Sequence, residues 1–369
     1  MVLYIILILL LLLCSRLRYR KTISFIVFLS LLLLSALRSY YVGTDTANYL
    51  FNNIEQGNLA RYLSEPLSYV LMLYSPNHEF FIFAQSVIVL LPLFIIHTKF
   101  EKPYLIIFLY YILGFYFFSF NVSRQMIAAA FVLLSLVYYL RKNWILYIFN
   151  VIIAFGFHNS SIVALILPLC DHFLKLNRTV VYIVLLSTFI IGLVVSVQVL
   201  SIFSPIIGSY IEYIMGEHAE VSRFSLNRLL LNIFFVIIYN CSSIEGKKSL
   251  YLKSMFVSVI LYNLLTFSGV VGRIAMYFSL SEIVFLSQDK YVKPSRRNVF
   301  NAAVLFYGFA YFSLVLINNL GGVVPYDINP IYNSSKVCNL VFMSIGAIIV
   351  FYIINYVMTA FEEKSKRIN

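Results

Sequence analysis

Apolar residues along this chain fall into long, nearly unbroken blocks, and polar residues serve as short punctuation between them. The blocks cover approximately 1–15, 22–37, 79–98, 103–120, 125–140, 144–157, 160–174, 179–200, 224–240, 254–268, 274–287, 298–317 and 337–359. Crossing the hydrocarbon of a bilayer takes about 20 helical residues, sometimes fewer. A backbone that cannot reach water must satisfy its own polar groups, which favours helices. The pattern therefore predicts an all-α, polytopic integral membrane protein with about 13 transmembrane helices, in the range 11–14. The blocks too short to cross alone read as broken helices beside polar backbone that lines a cavity. No internal repeat or low-complexity stretch divides the chain, so residues 1–369 read as a single transmembrane domain.

Composition strengthens this picture. Hydrophobic residues make up 62% and charged residues 11% of the chain, against roughly 45–50% and 25% in soluble domains. The spans use up nearly the whole length, which excludes a sizeable soluble domain. Residues 1–15 lack the basic leading region and small-residue cleavage site of a signal peptide. Their basic cluster, Arg16, Arg18, Arg20 and Lys21, follows the apolar run instead. The expectation is a retained first helix with its N-terminus outside.

The net charge of +12 is explained by topology without nucleic acid. Threading the blocks alternately places Lys99, Lys102, Arg141, Lys142, Lys175, Arg178, Lys247, Lys248, Lys253, Lys290, Lys293, Arg296 and Arg297 on the same side as the first cluster. Lys364, Lys366 and Arg367 of the C-terminal tail join them there. Twenty of the 27 basic residues thus lie inside, the asymmetry that the positive-inside rule demands. Cys14, Cys170, Cys241 and Cys338 lie in or beside apolar blocks without ligand-like spacing, so neither a metal site nor a disulfide framework is expected.

Seven basic residues remain outside: Arg38, Arg61, Arg124, Arg223, Arg228, Arg273 and Lys336. The outer loops expected to hold most of them are 38–78, 201–223 and 318–336. In the first, Glu65-Pro66-Leu-Ser-Tyr precedes an apolar stretch too short to span, which should lie in the interface. The second, with Glu212, Glu217, His218 and Glu220, reads as an amphipathic lid. Arg61, Arg228 and Lys336 are best read as helix-end anchors that snorkel to the headgroups. Arginine's rigid fork of donors also suits phosphate and carboxylate, and Arg38, Arg124 and Arg273 are candidates for that work.

These three belong to polar clusters that all fall on the outer side: Arg38-Ser-Tyr-Tyr-Val-Gly-Thr-Asp45-Thr-Ala-Asn-Tyr49, Asn121-Val-Ser-Arg124-Gln125 and Gly272-Arg273-Ile-Ala-Met-Tyr277. A fourth is His158-Asn-Ser-Ser161. Arginines beside a helix N-terminus can hold a diphosphate, aided by backbone donors and the helix dipole. A nearby carboxylate or histidine can then take a proton from an attacking hydroxyl. A pyrophosphate-linked lipid fits that pair of functions. Aromatic residues, 17% of the chain, serve mainly as interfacial belts. Glu282, nine residues beyond Arg273, is an intramembrane carboxylate, either functional or in a structural polar contact.

At these residues the chain resembles the EpsG/Wzy group of bacterial polysaccharide polymerases. Arg38…Val42-Gly43-Thr44-Asp45…Tyr49 and Glu65-Pro66 are similar to its early outer loop. Ser123-Arg124-Gln125-Met-Ile-Ala128 and Phe157-His158-Asn-Ser-Ser161 are similar to its central motifs. Arg273…Tyr277 and Val324-Pro325-Tyr326 are similar to its distal ones, and the order holds from about residue 38 to 330. The resemblance implies an enzyme of the bacterial cytoplasmic membrane, GT-C-like in fold, that joins undecaprenyl-diphosphate-linked oligosaccharide units on the outer face. It would need no cofactor, metal or nucleic acid. Its implied partners are that lipid-linked glycan, membrane lipids, a chain-length regulator and a flippase. Diphosphate binding then falls to Arg124, Arg273 and Arg38, and proton transfer to Asp45, His158 or Glu65, with Glu65 ranked last because Pro66 suggests a helix start. Gln125, Tyr277, Tyr326 and Arg223 complete the set as substrate contacts. Two rivals remain: a flippase of the same lipid, which should line a path through the bilayer with charge, and an O-antigen ligase, which should centre on one larger outer loop.

Overall fold

The computed structural model describes residues 4–9, 20–44, 46, 64–100, 102–194, 226–265 and 272–330, with short pieces at 339, 343–346 and 350. Asp45, Arg223 and most of the first and last apolar blocks lie outside the described residues. The described residues are helical and contain no strand, only isolated bridges at Arg38–Ile328 and Ser242–Val292.

In chain order the helices are α1 (Arg20–Leu37), α2 (Pro66–Leu73), α3 (His78–His97), α4 (Pro103–Ile112), α5 (Phe115–Asn121), α6 (Ser123–Leu140), α7 (Trp144–Phe157) and α8 (Leu167–Phe173). They continue as α9 (Arg178–Val194), α10 (Leu226–Cys241), α11 (Ile244–Lys248), α12 (Leu250–Leu264), α13 (Met276–Ser279), α14 (Glu282–Ser287) and α15 (Arg297–Ile317). Among the described residues, α3, α6 and the segment Pro294–Ile317 are long and apolar enough to cross a bilayer unaided. α4 and α5, bent by 57° at Gly114, make a fourth span if taken together.

Two more predicted blocks are interrupted and one starts early, each for a local reason. The 160–174 block is a 3-10 turn over Asn159–Ile166 followed by α8, whose first turn carries Pro168. Proline has no amide hydrogen to continue a preceding helix. The 274–287 block splits into a 3-10 turn at Arg273–Ala275, α13 and α14. Serine hydroxyls crowd that break: Ser281 Oγ donates to the Phe278 carbonyl (2.7 Å) and lies 3.1 Å from the Tyr251 carbonyl, while Ser254 donates to Phe278 (3.1 Å). Such side-chain bonds compete with the helical ladder. Glu282 opens α14 and is buried. The helix α12 starts before the predicted 254–268 block, at an N-cap formed by Ser249, because Lys253 is neutralised by Asp171 at 3.1 Å.

The chain divides into two compact units, Met1–Ile162 with Gly308–Asn369, and Val163–Tyr307. In the first, α6 is the central helix, packed between α3 and α7, with most of its residues buried. Ala128, Ala129 and Ala130 expose nothing. Small residues let helix backbones approach closely, which is how helices associate where lipid removes most of the hydrophobic drive. In the second unit α12 is central, against α8, α9, α10, α13 and α14. Its Asn263 exchanges amide hydrogen bonds with Asn232 (2.8 and 3.0 Å), donates to Thr188 (3.1 Å), and accepts from Arg228 through its carbonyl (3.2 Å). The Arg228 guanidinium lies 4.6 Å from the Phe189 ring centre. That polar knot ties α9, α10 and α12 together.

Candidate functional site

Within the first unit, loops from distant parts of the sequence fold onto one another. Gly43 donates to the Gly322 carbonyl (3.0 Å), Thr44 to Gly321 (3.2 Å), and Ser39 to Asp327 (2.8 Å). Asn329 returns a bond to Leu37 (3.0 Å). The side chain of Asn121, at the end of α5, accepts from the Thr44 amide (2.7 Å) and hydroxyl (3.1 Å). Thr46 donates to the Phe120 carbonyl (2.9 Å). Gly43 is what permits the fit: its φ is +98°, and a Cβ there would sit 2.4 Å from the Phe120 carbonyl oxygen. Only glycine takes that conformation without strain.

Arg38 lies beneath this junction. It is buried, and its guanidinium donates to the Ser35 carbonyl (2.5 Å) and hydroxyl (3.0 Å) while lying 4.6 Å from the Phe120 ring centre. Its side chain therefore ties the start of the loop to α1. Tyr326 donates to the Leu34 carbonyl (2.7 Å) and braces the same junction from the other side. Gln125 is buried in the first turn of α6, and Tyr277 is buried in α13 of the second unit. Arg273, also in the second unit, is exposed at the head of its 3-10 turn.

The chemically distinctive contact joins Glu65, Arg124 and His158. One carboxylate oxygen of Glu65 accepts from Arg124 and the other meets Nδ1 of His158. Side-chain exposure rises from Glu65 (8%) through Arg124 (17%) to His158 (26%). The carboxylate is thus the buried hinge of the group, and the two partners face outward from it.

Local sequence explains each position. Glu65 is the N-cap of α2, followed by Pro66 at the first helical position, where a missing amide hydrogen is harmless. Its side chain makes no cap bond to α2, so the carboxylate is available to the other two residues. Arg124 sits in the first turn of α6, whose N-cap, Val122, offers no side-chain acceptor. The opening amides of that helix and its dipole add to the positive charge. His158 ends α7 in an extended conformation (φ −155°, ψ 117°), which turns its ring off the helix axis.

What draws α2 to α7 is close packing. Ser68 of α2 donates to the Phe157 carbonyl (2.7 Å). Gly156 lies so near Leu67 that a Cβ would meet Leu67 Cγ and Cδ1 at 2.7 Å. Neither Ser68 nor Gly156 stood out in the sequence. The available signal was a glycine inside an otherwise apolar helix, two residues before a histidine.

A carboxylate that accepts from Nδ1 holds the imidazole so that Nε2 carries the lone pair. Among the described residues Nε2 makes no hydrogen bond. The group can therefore take up a proton at His158 and stabilise negative charge at Arg124 and the α6 N-terminus. No group of three His, Cys, Asp or Glu side chains able to hold a metal ion occurs among the described residues.

Apolar helices carrying an Arg–Glu–His group beside a helix N-terminus define a helical membrane protein with a charged cluster at its helix ends. The EpsG family profile matches residues 21–328, most of the chain, and the chain belongs to that family. It is a membrane protein of the polysaccharide-polymerase type. No curated protein and no solved structure matches it.

Proposed function

We propose that the chain polymerises lipid-linked oligosaccharide repeat units on the outer face of the bacterial cytoplasmic membrane, moving the growing glycan from undecaprenyl diphosphate to a sugar hydroxyl of another lipid-linked unit. The observation that carries this reading is the single carboxylate of Glu65 holding both Arg124 and His158. In the reaction, the bond between the anomeric carbon and the diphosphate oxygen breaks, and a bond from that carbon to the acceptor oxygen forms. His158 Nε2 takes the acceptor's proton. The electron pair leaves with the undecaprenyl diphosphate, whose charge Arg124 and the amides of the first α6 turn offset. Glu65 fixes the imidazole tautomer and orients the guanidinium, a positioning role that favours His158 over Glu65 as the base.

Arg38, held inward by Ser35, acts as a clamp on the loop that carries Asp45. Arg273, in the second unit, is kept as a phosphate-binding residue by its motif alone. The test is chain growth by purified protein supplied with one lipid-linked repeat unit and nothing else. Products of increasing length are expected from wild type, and none from His158→Ala or Arg124→Ala. Normal polymer length and yield from both variants would overturn the reading, as would transport of the lipid across a vesicle wall without glycan extension.

A further inference from the structure

Within the second unit, at loops that the charge distribution of the sequence assigns to the cytoplasm, three apolar helix ends meet at Asn240. α10 finishes there, and Tyr182 in the first turns of α9 donates to its side chain (2.9 Å). Lys293 and Arg296, just before α15, approach its backbone carbonyl at 3.1 and 3.5 Å. Two further cations join from α9 and α11. The Arg178 guanidinium lies 5.6 Å from the Tyr182 ring centre and the Lys247 ammonium 4.3 Å from that of Tyr239. The two rings are 6.5 Å apart, so all four cations share one small patch.

None of the four is paired with a carboxylate among the described residues. The acidic residues of the same loops are engaged elsewhere, Glu245 with Lys290 (3.6 Å) and Asp289 with Arg297 (3.7 Å). The exposed carbonyls at the C-terminus of α10 account for Lys293 and Arg296, since that end of a helix attracts cations. They do not account for Arg178 and Lys247, which the fold brings to the same place against mutual repulsion. Partial burial, with Lys293, Arg178 and Arg296 nearby, pushes the Lys247 ammonium below its ordinary pKa. A net anionic occupant reverses that repulsion.

The position of the patch narrows the class of anion. It sits where apolar helices end, which is headgroup depth. From it, α9 leads away with Ile183, Leu186 and Ile190 exposed along one face. A cationic pocket continuous with an apolar stripe matches both ends of a phospholipid.

We propose that Arg178, Lys247, Lys293 and Arg296 bind the phosphate of an anionic phospholipid of the phosphatidylglycerol type, with its acyl chains along the exposed face of α9. This proposal stands independently of the glycosyl-transfer reading, because it lies within the second unit and none of its residues is in the Arg–Glu–His group.

The experiment uses the full chain in phosphatidylcholine nanodiscs, with and without phosphatidylglycerol, followed by thermal unfolding and by native mass spectrometry of retained lipid. Wild type is expected to retain phosphatidylglycerol and to show a higher Tm with it. Each neutralised cation weakens binding about fivefold, about 1 kcal/mol, and the pair Arg178→Gln/Lys247→Gln about thirtyfold. The Tm in phosphatidylcholine alone should not fall. Should the double variant not yield folded protein, Lys247→Gln against Lys247→Arg reads the same effect, with the arginine variant keeping the lipid. Equal phosphatidylglycerol shifts in wild type and variant would overturn the proposal. So would inorganic phosphate producing the whole shift in phosphatidylcholine discs, which would make the ligand a free anion.

Discussion

Replacing Glu65 by glutamine separates the two functions that one carboxylate supports. A carboxylate accepts on both oxygens, and here one accepts from Arg124 and the other from Nδ1 of His158. Glutamine has one oxygen and one amide group. If the oxygen faces Arg124, the amide donates to Nδ1 and drives the ring proton to Nε2, the wrong tautomer for a base. If the oxygen faces His158, the amide confronts a guanidinium that has no acceptor to offer. Either orientation loses a partner. Loss of a general base lowers a rate by about 10²–10⁴-fold, or about 2.7–5.4 kcal/mol of barrier. The folded state loses less, because a charged hydrogen bond contributes about 1.5–3 kcal/mol and His158, 26% exposed, can be solvated instead. The assay is single-turnover chain growth with one lipid-linked repeat unit, run on Glu65→Gln, His158→Ala and the double variant, with Tm recorded for each. Each single change should slow chain growth at least about hundredfold, and the double variant should be no slower than His158→Ala, since residues acting as one unit are not additive. A folded Glu65→Gln protein within about threefold of wild type, or losses that multiply in the double variant, would refute the reasoning.

Gly156→Ala should lower Tm only modestly, because the about 1 kcal/mol that alanine gains in a helix interior offsets part of the about 1–3 kcal/mol cost of displacing Leu67, yet slow chain growth by roughly ten- to a hundredfold as Leu67 and α2 shift Glu65 away from His158. A loss of Tm without a loss of rate would contradict it. Gly43→Ala places a Cβ 2.4 Å from the Phe120 carbonyl at a φ of +98°; it should destabilise by about 1–3 kcal/mol, read as a lower Tm. Arg273→Ala should reduce polymer yield with Tm unchanged, which a radiolabelled product ladder measures. Asn263→Leu removes the partner of Asn232, Thr188 and Arg228 only in part, since the carbonyl that Arg228 uses remains; the lost side-chain bonds should lower stability by about 2–4 kcal/mol, checked by thermal unfolding.

Hydropathy located the helices well because burial in lipid selects apolar residues over a whole span, and that selection is written continuously along the chain. α3, α6 and α9 begin within a few residues of the predicted blocks. The interruptions were less legible, since each depends on a few atoms rather than on a window. Pro168 in α8 was visible as a breaker, but the serine bonds that split α13 from α14 depend on which carbonyl each hydroxyl reaches. The start of α12 was hidden by Lys253, a cation that belongs in an apolar environment only because Asp171 comes from another part of the chain to meet it. A span can therefore be read from composition, whereas a break or a neutralised charge requires knowledge of the partner.

The candidate site shows the same division. His158 and Arg124 were legible because each stands in a short polar cluster at the end of an apolar block, on the side where the charge pattern leaves few basic residues. Glu65 was discounted because Pro66 already gave it a role as a helix start. Both roles turn out to be served at once. The N-cap needs only the backbone of Glu65, and with no side-chain bond to α2 the carboxylate is left to serve Arg124 and His158. The residue's environment is then set by contacts with no charge in them at all, Leu67 against Gly156 and Ser68 against the Phe157 carbonyl. A polar group in a membrane protein is placed by apolar packing, so the neighbours that decide its chemistry are the residues least marked in the sequence. That is why Gly156→Ala, a substitution carrying neither charge nor reactivity, should be among the sharpest probes of whether Glu65 and His158 work together.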